Sequence, residues 1–194
     1  MNTRLSKLNS PSSPYAAIIL AKAGLIRLGF GHLVTSDIPP PILYHAVSQG
    51  ALGIEIRADD EGAWELCRQI THRPTEVRCE AERAMLRVLE GGCSVPVGVA
   101  SSLTANEDDG ETLSLIGVVT SLDGVQHVEQ KTRISSSSYI TLEEARNAGE
   151  KLARQLLDDG AQAILSDIVL DREQKARKAE ESGEKIEALE PGPA

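Results

Sequence analysis

A Gly-Gly-Cys-Ser-Val-Pro run at residues 91–96 places the strongest constraint on how this chain folds. Paired glycines end a helix and let the backbone turn tightly, and Pro96 prevents the helix from resuming. We therefore expect the helix-like stretch 79–90 to end here and an extended segment to follow. The glycines leave Cys93 little shielded, and a partly exposed thiolate is a strong nucleophile at neutral pH. Cys93 is a candidate for covalent chemistry, although a cysteine in this position can also simply pack under a turn.

Apolar periodicity after residue 50 predicts several strands. Strand patterns occur at residues 51–58, 95–103, 112–120 and 125–134. An Asp123-Gly124 turn would join the last two strands as a hairpin. The sequence therefore predicts three strands in its second half, the last two of them paired as a hairpin.

Helix signals alternate with these strands. Residues 61–70 have a short helical pattern, and Thr75 is a candidate N-cap for the next helix. Residues 141–144 form a Thr-Leu-Glu-Glu capping box that opens a further helix, which we expect Gly160 to end. Two apolar stripes support these helices: Ala81, Ala84, Met85 and Val88, and then Ala145, Ala148, Leu152 and Leu156.

The two ends of the chain give weaker signals. Residues 15–21 fit either a buried strand or the start of a helix, because periodicity does not decide for so short a run. Gly29 is expected to close a short helix, and the prolines at 39–41 require an extended linker. Residues 171–194 contain few aliphatic side chains, so we expect a disordered tail, part of which is transiently helical.

Composition excludes several classes of function. The chain has 194 residues and a net charge of −9, with five aromatic side chains, so neither nucleic acid nor an anionic membrane surface is an expected partner. Three cysteines without CxxC spacing argue against a disulfide scaffold, and we expect Cys67 and Cys79 to be ordinary buried thiols in a reducing cytoplasm. The four histidines are scattered, so no metal site is expected.

Four motifs resemble segments of one known family, porphobilinogen deaminase, also called hydroxymethylbilane synthase. Residues 89–97, LEGGCSVPV, resemble its cofactor-attachment segment, and residues 46–55, AVSQGALGIE, resemble its AVGQGALGIE stretch. Upstream, NTRLSKL at 2–8 and AGLIRLG at 23–29 resemble its NTRLxKL and AGLxRLG motifs. The motifs follow the family's order and spacing from about Asn2 to Ile168. Ser48 stands where the family often has glycine.

The resemblance implies an activity in tetrapyrrole and heme biosynthesis. Family members are transferases that condense four porphobilinogen units, with loss of ammonia, on a dipyrromethane primer. By this resemblance, Cys93 would carry the dipyrromethane cofactor in a thioether linkage, and the protein's partners would be porphobilinogen and the growing polypyrrole chain. The resemblance also implies a monomer.

The same resemblance assigns further residues to cofactor binding. Arg4 and Arg27 match family arginines that bind the acetate and propionate arms of pyrroles, and guanidinium groups suit that task because they bind carboxylates bidentately and stay charged. Gln49 would lie near the pyrrole site, in a hinge between domains. Gly24 marks a segment whose backbone N–H groups could approach a carboxylate. Without the resemblance, each arginine would be interpreted as a solvated surface charge.

The resemblance implies an α/β and α+β chain: a remnant of domains 1 and 2 of a three-domain synthase, then a complete C-terminal domain. We expect residues 1–43 to be the tail of the second domain with a linker, and 44–70 to be the hinge with a strand and helix of the first domain. Residues 71–170 would form the cofactor-carrying domain, a three-stranded sheet with helices on one face, and 171–194 the tail.

The family extends well upstream of NTRL, so we expect a truncated chain. No catalytic residue of the family is expected here, because its proton-handling aspartate lies upstream, and the chain would be inactive alone. The alternative function is a non-catalytic remnant that acts as a binding or structural module.

Overall fold

The computed structural model describes residues 2–89, 95–106 and 109–182, and the chain divides into two compact units, Met1–Ile42 and Leu43–Ala194. The first unit holds two short helices, α1 (Asn2–Leu8) and α2 (Lys22–Arg27), and a 3-10 turn at Gly31–Leu33. Leu25 is its buried apolar side chain. Gly29 follows α2 with a φ of +80°, which confirms that this glycine closes the helix.

The second unit contains a three-stranded sheet and four helices among its described residues. Its helices and strands are, in chain order, α3 (Glu61–Ile70), α4 (Arg73–Val88), β1 (Val97–Ala105), β2 (Glu111–Thr120), β3 (His127–Ser136), α5 (Leu142–Leu156) and α6 (Gln162–Ser182). The sheet order is β1-β2-β3, and both pairings are antiparallel. Gly124 has a φ of +73° in the turn between β2 and β3, which confirms the predicted hairpin.

The main core lies between one face of the sheet and helices α4 and α5. Leu113, Leu115 and Val119 alternate along β2 and are fully buried. Gly117 continues this face, and a Cβ added there would lie 2.6 Å from the Met85 sulfur of α4. The packing confirms a three-stranded sheet with helices on one face.

Helices α4 and α5 approach each other closely through small residues. A Cβ added at Gly149 would clash with the backbone oxygen of Ala81. The predicted capping box opens α5: Thr141 Oγ1 accepts from the Glu144 N–H at 3.2 Å, and Glu144 Oε2 accepts from the Thr141 N–H at 2.8 Å. Gly160, with a φ of +109°, interrupts the helix before α6, as expected.

One predicted strand is absent from the structure. Residues 51–57 form no strand, although alternation predicted one, and residues 15–21, which fitted either a strand or the start of a helix, form neither. A strand needs a neighbour to pair its backbone groups, and neither segment has one among the described residues. Leu52 is accordingly 87% exposed and Ile54 61% exposed, so residues 51–57 display apolar surface.

Two helix boundaries also differ from the predictions. His72, not Thr75, is the N-cap of α4, because Pro74 has a backbone angle suited to the first turn and the helix starts before the threonine. At the other end, α6 continues to Ser182, so residues 171–182, where helix was expected only transiently, are part of this helix. Their alanine, glutamate, lysine and arginine content favours helix propagation from an already formed turn. Residues 183–194 of the predicted tail lie outside the described residues.

Candidate functional site

Cys93, the residue expected to carry the cofactor, lies outside the described residues. The structure does define the two elements on either side of it. Leu89, at the end of α4, is buried in the core, and Val95 packs against the same core before β1 begins. The sequence that contains Cys93 therefore connects two elements that are fixed by apolar packing.

Arg4, Gly24 and Arg27 belong to the first unit. Arg4 lies in α1 and Arg27 is the last residue of α2; both side chains are exposed. Neither guanidinium has an ion-pair or hydrogen-bond partner among the residues that the structure describes. The Gly24 N–H donates to the Ala21 oxygen at 3.1 Å, so that amide is already engaged within the turn.

Gln49 lies in a tight turn of the second unit. Its N–H donates to the Ala46 oxygen at 3.0 Å, and the Ala51 N–H donates to the Ser48 oxygen at 3.1 Å. Ser48 has a φ of +58° and Gly50 a φ of +84°, so two residues of this turn occupy the left-handed region. The Gln49 side chain is exposed.

A cavity of ≈ 220 Å³ is lined by this turn and by helix α4. Its lining is partly polar and partly apolar and comes from the turn and from helix α4: Ser48, Gln49, Gly50, Ala51, Thr75, Arg78, Cys79 and Glu82. Cys79 is half-buried in this lining. The cavity therefore lies beside Gln49, which the resemblance places near the pyrrole site.

Glu82 connects α4 to both the turn and the sheet. Its side chain is buried, with 6% exposed. Oε2 accepts from the Ser48 N–H at 2.7 Å, and Oε1 accepts from the Ser101 hydroxyl of β1 at 2.5 Å. Arg78 Nε donates to the same hydroxyl oxygen at 2.8 Å. A buried carboxylate must be satisfied by hydrogen bonds, and here it bonds one backbone amide and one side chain.

The segment before the turn is attached to the sheet. The His45 N–H donates to the Val99 oxygen at 3.2 Å, and the Val99 N–H donates to the His45 oxygen at 2.8 Å. Tyr44 Oη donates to Glu129 Oε2 at 2.5 Å. This hydrogen bond, with burial, raises the pKa of Tyr44 to about 12. The same hydrogen bond lowers the pKa of Glu129, against the opposite effect of burial.

Short motifs single out Gln49 but not Glu82, Arg78 and Ser101, which hydrogen bonds connect to its turn. One signal for Glu82 was available: it lies on the face of α4 that also carries Met85 and Leu89, both buried. A carboxylate on an apolar face needs a partner. Position 48 offered a second signal. The family that the chain resembles often has glycine there, which indicates a left-handed backbone in this turn.

Two family models match the chain in sequence order. Residues 1–65 match a model described as porphobilinogen deaminase, dipyromethane cofactor binding domain, and residues 77–158 match porphobilinogen deaminase, C-terminal domain. The chain belongs to the porphobilinogen deaminase family. Arg4, Gly24, Arg27 and Gln49 fall within the first match, and Cys93 within the second.

Curated relatives named porphobilinogen deaminase agree with these matches. The Kluyveromyces lactis protein is 41% identical over 172 residues, covering 89% of this chain and 51% of the relative. The Synechococcus sp. (strain CC9311) protein is 46% identical over 166 residues, covering 86% and 48%. The Schizosaccharomyces pombe protein is 37% identical over 182 residues, covering 94% and 52%. The chain thus spans about half the length of the curated relatives it matches.

Two general features of the described residues bear on other functions. No helix among them has both the length and the apolar character needed to cross a bilayer. Within the same residues, no three His, Cys, Asp or Glu side chains are grouped so that they could hold a metal ion.

Proposed function

We propose that this chain supplies the primer-carrying part of a hydroxymethylbilane synthase, with Cys93 as the anchor for dipyrromethane. The observation that carries the proposal is the family match over residues 77–158, which includes the Gly-Gly-Cys run. The packing of Leu89 and Val95 supports it, because an anchor serves best when both flanks are fixed.

The exposed arginines of the chain suit the binding of a dipyrromethane group. That cofactor carries acetate and propionate arms, and carboxylates are bound most specifically by guanidinium forks. Arg4 and Arg27 are exposed and, within the described residues, have no carboxylate of the protein as a partner. We propose that both bind carboxylate arms of the cofactor or substrate, that the Gly24 segment approaches one of these carboxylates, and that Gln49 contacts a pyrrole.

The proposed attachment is a nucleophilic substitution, and it requires no oxidant. The Cys93 thiolate forms a carbon–sulfur bond to the methylene carbon of a pyrrole unit, and the carbon–nitrogen bond of that unit breaks with release of ammonia. When bound, dipyrromethane supplies the terminal pyrrole carbon to which the first substrate is joined. The resulting thioether is stable, so Cys93 retains the growing chain through the later condensations. Arg4 and Arg27 would hold each substrate in orientation.

The domain organisation belongs to this proposal. Residues 44–70 would act as the hinge with the strand and helix returning to a first domain, and 71–170 as the domain that carries the cofactor. The exposed Leu52 and Ile54 support this assignment, because alternating apolar residues on an unpaired segment suit a strand that pairs with another domain.

Intact mass tests the anchor directly. Because the chain alone is expected to be inactive, it is joined to the part of a curated relative that it does not match, and the mass of this full-length protein after incubation with porphobilinogen is compared with that of its Cys93→Ser variant and of a matched control, Cys79→Ser. We expect the unchanged protein and Cys79→Ser to gain two pyrrole units, each less one ammonia, and peptide mapping to locate them on Cys93. Cys93→Ser should gain nothing, because an alcohol does not form the thioether.

Two results would contradict the proposal. One is a chain that stays unmodified, which would favour the alternative of a non-catalytic binding or structural module. The other is an equal mass gain by Cys93→Ser, which would place the attachment elsewhere.

A further inference from the structure

Ser48 adopts a backbone conformation that its own side chain does not stabilise. Its φ of +58° lies in the left-handed region, which is unfavourable for a residue with a Cβ. The Ser48 hydroxyl oxygen is buried and has no hydrogen-bond partner among the described residues. Some other contact must therefore keep the turn at residues 46–50 in this conformation.

The Glu82 carboxylate is the group positioned to do so. It accepts from the Ser48 N–H at 2.7 Å, across 34 positions of sequence. A hydrogen bond from a backbone amide to a carboxylate is among the stronger hydrogen bonds in proteins, and burial strengthens it further. No other side chain in the described part of the chain bonds the backbone of Ser48.

The carboxylate itself is held in place from the sheet. Its second oxygen accepts from the Ser101 hydroxyl, and Arg78 donates to that hydroxyl. Because Ser101 lies on β1 and Glu82 on α4, the acceptor offered to Ser48 is fixed by two elements of the core. Among the described residues Glu82 forms no ion pair, so no cation competes with the Ser48 N–H for its carboxylate.

We propose that Glu82 is a positioning residue that holds the 46–50 turn, and with it Gln49, against helix α4. Helix α4 would then set the position of the pyrrole contact. The role of Gln49 rests on the proposed function, whereas the holding of the turn does not.

Amide exchange measured by NMR on the full chain tests the holding role. The variant is Glu82→Ala, and the matched control is Glu80→Ala, a carboxylate of the same helix that bonds Arg87 and Arg146 instead. We expect Glu82→Ala to raise the exchange rates of the Ser48, Gln49 and Ala51 amides about tenfold or more, since a charge-assisted hydrogen bond is lost. Glu80→Ala should leave these rates within about twofold.

Two further variants separate holding from general damage. Glu82→Gln keeps an acceptor oxygen for the Ser48 amide, so its exchange rates should lie between those of the unchanged chain and Glu82→Ala. Adding Ser48→Gly to Glu82→Ala should restore part of the protection, because glycine adopts the left-handed region at little cost. If Glu82→Ala does not fold, the comparison of Glu82→Gln with Glu80→Gln decides the question. Unchanged exchange in the Glu82 variants, or an equal rise in the Glu80 variants, would overturn the proposal.

Porphobilinogen binding to the same variants tests whether Glu82 acts through Gln49. We expect Glu82→Ala and Gln49→Ala each to weaken binding, and the double variant to be no weaker than Gln49→Ala alone. Additive losses would mean that Glu82 acts independently of Gln49, which overturns that part of the proposal. If the unchanged chain does not bind porphobilinogen, the proposed function is contradicted, and the exchange rates alone decide whether Glu82 holds the turn.

Discussion

Arg73 and Glu111 form a bidentate ion pair that ties the start of α4 to the start of β2. Nη1 of Arg73 lies 2.7 Å from Oε1 of Glu111, and Nη2 lies 2.9 Å from Oε2. Arg73 also donates to the Ile140 oxygen at 2.8 Å, and the Ile140 N–H donates to Glu111 Oε2 at 2.9 Å. The Arg73 guanidinium lies 4.6 Å from the centre of the Tyr139 ring. The start of α4, the start of β2 and the segment before α5 therefore meet at the buried Glu111 carboxylate.

We expect Glu111→Gln to lower the free energy of unfolding by about 2 kcal/mol at pH 7, because a buried acceptor of charged and backbone donors is lost. Hydrogen bonding by Arg73 holds the pKa of Glu111 below its ordinary value of 4.5. Its contribution is thus complete above pH 4.5 and is lost as the pH falls through the lower folded-state pKa. Urea unfolding at several pH values measures this.

The control for this prediction is Glu173→Gln, an exposed carboxylate of α6. It should change stability by less than about 0.5 kcal/mol. A Glu111→Gln difference that stays constant from pH 7 to pH 3 would contradict the assigned pKa shift.

The contact between Gly149 and Ala81 gives a second prediction. We expect Gly149→Ala to destabilise the second unit by about 2 kcal/mol or more, because the added methyl meets a backbone oxygen that cannot rotate away. Gly53→Ala is the control, since a Cβ there would have no atom within 4 Å. Thermal unfolding of the two variants measures the difference, and similar melting temperatures would show that α4 and α5 separate easily.

The elements predicted correctly from sequence are those with local signals. The Asp123-Gly124 turn and the Thr141 capping box each specify a structure through neighbouring residues. Residues 51–58 were predicted wrongly because alternation indicates a strand only where a partner strand is available. Residues 171–182 are helical, whereas the sequence predicted helix in the tail only as a transient state, because its low apolar content was given more weight than its helix propensity.

In the candidate site, too, residues in local motifs were predictable from the sequence and long-range contacts were not. Cys93 and Gln49 are found through short motifs, so sequence sufficed to single them out. The Glu82 contact with Ser48 spans 34 positions, and no local pattern specifies which backbone amide a buried carboxylate will bond. Its place on the apolar face of α4 indicates a partner without identifying it.

Arg27 provides a test of carboxylate recognition. We expect Arg27→Leu to weaken porphobilinogen binding about tenfold and Arg27→Lys only about threefold, because lysine keeps the charge and loses the bidentate fork. Isothermal titration of the chain measures this. Arg57→Leu, which removes an exposed arginine outside the proposed site, should leave binding unchanged. Equal losses for leucine and lysine would mean that shape, rather than carboxylate pairing, is what Arg27 supplies.

Tyr44 tests how firmly the segment before the Gln49 turn is attached to the sheet. Its hydroxyl donates to Glu129, and a Cβ added at Gly98 would lie 2.6 Å from the Tyr44 Cβ, so the tyrosine lies closely against β1. We expect Tyr44→Phe to lower the free energy of unfolding by about 1 kcal/mol at pH 8, because Glu129 loses a donor.

The pH dependence of this variant has a definite sign. The pKa of Tyr44 is raised from 10.0 to about 12, so its contribution is complete below pH 10 and is lost as the pH rises through 12. Absorbance titration of the phenol groups, with circular dichroism recorded at each pH, should show an ionisation near pH 12 that Tyr44→Phe removes. Tyr139→Phe, which keeps the ring over Arg73, should retain that step. A late ionisation that persists in Tyr44→Phe would mean that Glu129 does not hold the Tyr44 proton and that the segment before Gln49 is attached mainly through His45 and Val99.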